Sequence, residues 1–470
     1  MKKCLIIIFI LLTFANINAT EVPRVKHYSL NLKFLLEEGL IKSTAELTIE
    51  NTTSEKFDEL PFLLYRLLSV SKVTINNKPV KFIQEVVRFT DESSMQVNLV
   101  KVKLHAQLQP KESIKIKFDY DGYVLGYSEI MAYVKDKIDQ NYSLIREDTK
   151  AYPILNYPSF KEGRSIVDDH FTFDIKATVP RGYSVASGGT INNVETKNDT
   201  STFFITSKVP TWRMDIAVAK FEQLKNESKK LFVYYLPEDK RGAENVLKAA
   251  IQSSDFYSKY FGEAKNYQGY TIIQIPEGWG SQKGDLYILQ AGAAFKDSSK
   301  VDEVYHEIAH TWDINCDKSV QRSRYFSEAF ASYFQAFTMS HYSSKELLLS
   351  AVEQSRKIFV NRVARDKNNY DIPIADYGKY ELGGLSYTKG AWSLYVLNKI
   401  VGDDLFRKIN IALREEGSHK PIDFNSFQKI SEKVSGKNLD KFFNEWIFGS
   451  ESSKLLAEGT SIDDIVKRYN

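Results

Sequence analysis

The chain has 470 residues, 43% hydrophobic and 26% charged, with only 12 Pro and 23 Gly. That length and composition indicate two or three globular units and exclude a low-complexity or collagen-like chain. Its 63 Lys and Arg nearly balance 60 Asp and Glu, so the net charge of +3 gives no electrostatic footprint for nucleic acid. Its two cysteines are too few for a disulfide scaffold or a Cys-rich zinc module, so any metal site must be built from His, Asp and Glu.

Residues 1–19 place two lysines before an apolar run from Cys4 to Phe14 and end in small and polar residues at Ala19. This is the layout of a secretory signal peptide, and the run is short of the roughly 20 residues a membrane span needs. The expected product is secreted or periplasmic, with no stable membrane insertion after cleavage. Cys316 would then be its only cysteine.

From His27 onward, short segments such as HYSLNLKF, STAELTIEN, ESIKIKFDYDGY and HFTFDIKATV alternate apolar and polar residues. This period of two predicts half-buried antiparallel strands and an all-β domain of sandwich type over residues 20–220. One more strand, GYTIIQIP from Gly269, precedes a change to helical spacing. Helices are predicted in AENVLKAAIQSSDFYSKYF, SSKVDEVYHEIAHTWDI, RYFSEAFASYFQAFTMSHY, SSKELLLSAVEQSRKIFV, YTKGAWSLYVLNKIV and DDLFRKINIALREE. The fold class is therefore α+β, with a mainly helical domain over 221–455 and a short helical tail over 456–470.

The segment His306-Glu307-Ile308-Ala309-His310 carries the chemistry. Histidines four apart share one helix face, and the glutamate beside the first turns toward the same ion. With 7 His in the chain, chance supplies only about 0.013 such strings. A catalytic zinc needs three protein ligands and an open position, so a third ligand should come from a separate element close in sequence. Glu328 is the candidate: it lies in YFSEAFASYFQAF, where the aromatic residues bury the helix and leave an acid in apolar surroundings. Such a carboxylate is costly unless paired or metal-bound.

HEIAHTWDIN followed by YFSEAFASYF resembles the zinc core of the aminopeptidase N and leukotriene hydrolase family of gluzincins. The resemblance implies a thermolysin-like catalytic domain with a small edge sheet, one Zn2+ per chain on His306, His310 and Glu328, and Glu307 as general base. Trp312 and Asn315 match the family's continuation of the histidine motif. The family places eighteen residues between second and third ligand; here there are seventeen, which implies a shorter loop. Where many members have Glu seven residues beyond the third ligand, this chain has Gln335. In SYTKGAWSLY, Tyr387 corresponds to the tyrosine that donates a hydrogen bond to the tetrahedral intermediate.

Substrate recognition departs from the family. Its aminopeptidases carry Gly-x-Met-Glu-Asn on an edge strand, whose Glu holds the substrate's amino group. Aligned without a gap to a short-spaced relative, EGWGSQKGDLYILQ puts Gly280 at the Gly position and Gln282 at that of the Glu, with Lys283 beside it. A neutral amide lacks the charge-assisted part of such a bond. Glu277, and Glu147 in SLIREDTKAYPILNYP, are candidate replacements, both expected on loops. The large helical domain that roofs the site in long family members has no counterpart here, so a more open cleft is expected. These features imply a zinc peptidase, aminopeptidase-like with altered N-terminus recognition. Two alternatives are an endopeptidase or other zinc hydrolase with an open cleft, and a non-catalytic peptide-binding module with structural zinc.

Overall fold

The computed structural model describes residues 22–160, 170–264, 269–366 and 371–469. The expected signal segment, residues 1–19, lies outside them. Contacts divide the chain into two units, the first ending at Asp215 and the second starting at Ile216, with Tyr183–Gly188 joining the second.

The first unit is built from two sheets. The larger runs, edge to edge, through Thr190–Lys197, Thr200–Thr211, Phe171–Pro180, Arg24–Leu35, Leu40–Glu50, Ser113–Tyr123, Leu68–Ile75 and Lys78–Pro79. The smaller is ordered Ile154–Leu155, Phe57–Leu64, Gln96–Leu108, Phe82–Arg88. Alternation in the sequence becomes alternation in burial: Tyr28, Leu30, Leu32 and Phe34 all point inward from one strand. Phe62 of the smaller sheet meets Phe118 of the larger edge to face, their rings 4.8 Å apart, so the inner faces share one core. One pairing departs from the antiparallel expectation: Arg24–Leu35 lies parallel to Phe171–Pro180. The chain between them is a long excursion, which frees the pair from hairpin geometry.

The second unit combines a five-stranded mixed sheet with helices. Its strand order is Glu222–Asn226, Leu231–Tyr235, Tyr270–Ile275, Tyr287–Ala291, Gln282–Lys283. Tyr270–Ile275 is buried at every position, as a strand covered on both faces must be. Helix Lys240–Phe261 buries Ala243, Val246, Ala250 and Tyr257 in the core, and the Tyr257 hydroxyl donates to the Tyr305 carbonyl at 2.7 Å. That bond ties it to the helix Asp302–Ala309. Behind lie the longer helices Phe330–Tyr342, Lys345–Arg365, Ala391–Val401, Asp403–Gly417 and Phe424–Ser435. Phe326, Phe330 and Phe334 pack with Phe406, Phe424 and Phe427 into a continuous aromatic core. Asp440–Trp446, Glu451–Ala457 and Ile462–Lys467 complete the chain, with Trp446 buried and stacked on Trp392.

Candidate metal centre

His306 stands in the last turn of Asp302–Ala309, and His310 opens the tighter 3-10 turn His310–Trp312 that continues it. The four-residue spacing keeps both rings on one face, with centroids 5.1 Å apart and nearly perpendicular. Trp312 anchors the end of this segment: it is buried, and its indole N–H donates to the Gly262 carbonyl at 2.8 Å. Asn315 does similar work by donating to the Gly417 carbonyl at 3.0 Å.

Glu328 reaches the same point from the other side. Its Oε2 lies 3.2 Å from His306 Nε2 and 3.5 Å from His310 Nε2. One ligand atom from each of the three residues lies within 4.8 Å of the others. The seventeen-residue interval closes through the one-turn helix Lys318–Gln321 and then Arg324, which takes left-handed angles (φ +56°, ψ +17°). Beyond it, Tyr325–Ala329 form a π-type turn, wider than an α turn, in place of the uniform helix expected over this stretch. The turn leaves Tyr325, Phe326 and Ala329 buried and aims Glu328 at the histidines.

Tyr387 sits in a second π-type turn, Ser386–Gly390, and the two turns touch. Gly390 permits this: a Cβ there would stand 2.6 Å from the Ala329 Cβ. Ser386 Oγ donates to the Ser323 carbonyl at 2.6 Å, and Tyr325 Oη shares a 2.7 Å bond with Ser393 Oγ, so both turns are clipped together. The Tyr387 ring then lies almost parallel to that of His306, with centroids 5.8 Å apart and an interplanar angle of 7°. Burial, followed by the charge of Glu328, pushes its phenol well above the usual tyrosine range, so the hydroxyl keeps its proton.

Asp313, Ser327 and Lys283 hold the outer side of His310, and sequence reasoning overlooked the first two. Its Nδ1 lies 3.0 Å from Asp313 Oδ1 and 3.2 Å from Ser327 Oγ, and Ser327 in turn donates to Asp313 Oδ2 at 3.2 Å. Lys283 Nζ bonds the His310 carbonyl at 3.0 Å and Asp313 Oδ2 at 3.3 Å. Partial desolvation works against the charge of Asp313, whose side chain stays one-third exposed, but Lys283 and His310 prevail and hold it below the usual carboxylate range. With an ion in place, a carboxylate on Nδ1 would fix the tautomer that leaves the Nε2 lone pair for the metal. The available signal was a carboxylate three residues after a ligand histidine.

Burial disfavours a charged His310, yet Asp313 and Glu328 outweigh it and raise the imidazole to about 10. Glu328 is correspondingly held far below its ordinary range, against its own burial, by the two histidines. Among the described residues no Lys or Arg pairs with Glu328, so its negative charge and the two Nε2 atoms converge without a permanent cation. Two imidazoles and one carboxylate, with a carboxylate behind one ring, form a donor set that fits zinc. Glu307 is half-buried beside this set and makes no hydrogen bond or ion pair among the described residues.

The remaining candidates are dispersed. Gly280 takes φ +68°, and Gln282 begins the two-residue edge strand, where Gln282 and Lys283 pair antiparallel with Leu289 and Ile288. Lys283 is committed to Asp313 and does not stand as an unpaired charge beside Gln282. Glu277 is an exposed acid with no partner among the described residues. Glu147 belongs to the first unit and is no solvated loop acid: it is 6% exposed and bonded to Lys150 Nζ at 2.8 Å. Gln335 donates to Asp302 Oδ2 at 3.0 Å, linking the helix after Glu328 to the first turn of the histidine helix.

Residues 285–446 match the Peptidase family M1 domain. Glutamyl aminopeptidase of Rattus norvegicus is 22% identical over 456 residues, covering 89% of this chain and 46% of that protein. Probable aminopeptidase 1 of Sulfurisphaera tokodaii is 22% identical over 394 residues, covering 78% of this chain and 48% of that protein. The chain thus spans about half the length of the curated relatives it matches. In fold it is similar to the M1 zinc metallopeptidase from Deinococcus radiodurans (TM-score 0.61, 16% identity, covering 93% of this chain and 95% of that one). It is likewise similar to yeast LTA4 hydrolase in complex with bestatin (TM-score 0.62, 15% identity, covering 91% and 68%). The matched stretch, residues 285–446, contains His306, His310 and Glu328, and in its two-unit fold and its histidine and glutamate triad the chain is similar to the M1 zinc metallopeptidases, the aminopeptidase N and leukotriene hydrolase type among them.

Proposed function

We propose that the protein is a zinc-dependent peptidase that hydrolyses peptide bonds, aminopeptidase-like but with altered recognition of the substrate's amino terminus. The observation that carries this reading is the pairing of the metal triad with Glu307, a carboxylate that has no structural partner among the described residues. His306, His310 and Glu328 would hold the ion, and Asp313, Ser327 and Lys283 would keep His310 in the required tautomer. When bound, zinc supplies Lewis acidity for a substrate carbonyl and for a water molecule.

Glu307 accepts the proton of the attacking water and returns it to the departing amine. Tyr387, its phenol protonated through the neutral range, donates a hydrogen bond to the carbonyl oxygen as negative charge develops there. Gln282 on the edge strand brings a neutral amide to peptide recognition, which is why the amino-terminal preference is read as altered.

Glu307→Gln tests the base. It should lower kcat by about 10²- to 10⁴-fold while zinc content stays at the wild-type level. Unchanged turnover with zinc retained would assign proton transfer elsewhere.

The reading extends to export. The signal-peptide pattern of residues 1–19 supports a protein that works outside the cytoplasm, and no helix among the described residues is long and apolar enough to cross a membrane. Mass measurement of the mature protein should find its first residue near Thr20, and an intact amino terminus would refute cleavage there.

A further inference from the structure

The helix face that carries the site continues one turn toward its amino end. Glu303, His306, Glu307 and His310 follow the spacing of residues that share one side of a helix. With a rise of about 1.5 Å per residue, the backbone of Glu303 stands about 6 Å from that of Glu307. The carboxylate is not loose: its Oε2 accepts from Ser281 Oγ at 2.9 Å and from Gln290 Nε2 at 2.9 Å. Ser281 is the neighbour of Gln282, so this contact joins the edge strand to the helix of the histidines.

Gln290 is fully buried and spends its amide N–H groups on Glu303 and on Ser281 Oγ, the latter at 3.3 Å. Its own Oε1 is buried with no partner among the described residues. Leaving a buried acceptor unmet is costly, and the flipped amide would turn oxygen toward a carboxylate, so the side chain serves as a donor to Glu303. Glu303 itself remains exposed, pairs with no Lys or Arg among the described residues, and leaves Oε1 without a bond there. Neutral donors orient it without neutralising it.

We propose that Glu303 binds the free α-ammonium group of the peptide substrate, an assignment that rests on the peptidase reading above. The amino group lies two bonds from the carbonyl carbon under attack, so its holder must stand close to Glu307 and carry fixed negative charge. Gln282 lacks that charge; Glu303 supplies it from the helix rather than from the strand. Glu303 is a specificity-determining residue, positioned by Ser281 and Gln290.

The test compares a zinc-loaded full chain with its Glu303→Gln variant on one peptide in two forms, free and N-acetylated. Gln can still accept from Ser281 and Gln290, so the helix and strand stay joined and only the charge is lost. For the free peptide KM should rise at least tenfold with kcat within about threefold, and the acetylated peptide should be unaffected. In a Glu307→Gln background, calorimetry should show the same loss of affinity for the free peptide alone. Ser281→Ala, which keeps the charge but loosens it, should raise KM by a smaller factor. If wild type cleaves both forms and Glu303→Gln changes them equally or not at all, the peptidase reading stands and this assignment is overturned. If zinc-loaded wild type cleaves neither form, the peptidase reading itself falls.

Discussion

Two clusters of enclosed carboxylates are resolved in opposite ways. In the first unit Arg146 meets Asp136 at 2.7 Å with both side chains wholly buried, and Thr149 Oγ1 donates to the other oxygen of Asp136. Lys150 pairs with Glu147, and Arg213 bridges Asp148 and Asp215. Burial alone would raise Asp148, but Arg213, Arg146 and Lys150 bring it down to about 2. Every buried carboxylate there has its own Lys, Arg or hydroxyl. In the second unit Glu328 is nearly as enclosed, yet it faces two imidazoles and the Tyr387 phenol, and among the described residues it pairs with no Lys or Arg. A cluster complete in itself holds a structure together; a cluster short of one cation is a binding site. The difference explains why one set of acids needs nothing further and the other fits a metal.

Four changes test that contrast, from the largest effect to the smallest. Glu328→Gln removes the charge that balances the ion, and zinc affinity, read by competition with a chromophoric chelator, should fall by more than about 100-fold. In the first unit Arg146→Met strands Asp136 in the interior. Stability to denaturant should drop by about 3–5 kcal/mol, while the folded fraction keeps its full zinc content. Asp313→Asn leaves the three ligands in place but weakens the hold on His310, and about 10- to 100-fold in zinc affinity should be lost. Gly390→Ala forces a methyl group against Ala329, with an expected cost of about 1–3 kcal/mol in thermal unfolding and reduced turnover as Tyr387 moves away from Glu328. Arg146→Met lowering zinc affinity as much as Asp313→Asn would erase the distinction between the two clusters.

Much of this was legible in the sequence, because periodicity and spacing are local. The strands of the first unit follow its alternating segments, and His306 and His310 meet because four residues make about one helical turn. What stayed hidden depends on partners far apart in the chain or on unusual backbone. The left-handed Arg324 and the two π-type turns carry no compositional mark, yet they decide where Glu328 and Tyr387 point. Lys283 appeared only as a charge beside Gln282, and its partner thirty residues on was not readable. Glu303 was readable in part: it falls on the histidine face by spacing, but its bond to Ser281 exists only in three dimensions. The parallel pairing of Arg24–Leu35 with Phe171–Pro180 was hidden for the same reason.

The central claim is that one zinc on His306, His310 and Glu328 works with Glu307 to hydrolyse peptides. It is tested most directly by returning zinc stepwise to chelated full-length protein and following peptide hydrolysis in the same sample. The account predicts activity that starts near zero, rises in proportion to added zinc and levels off at one ion per chain. Hydrolysis that persists in the chelated protein, or none with the site filled, would contradict it.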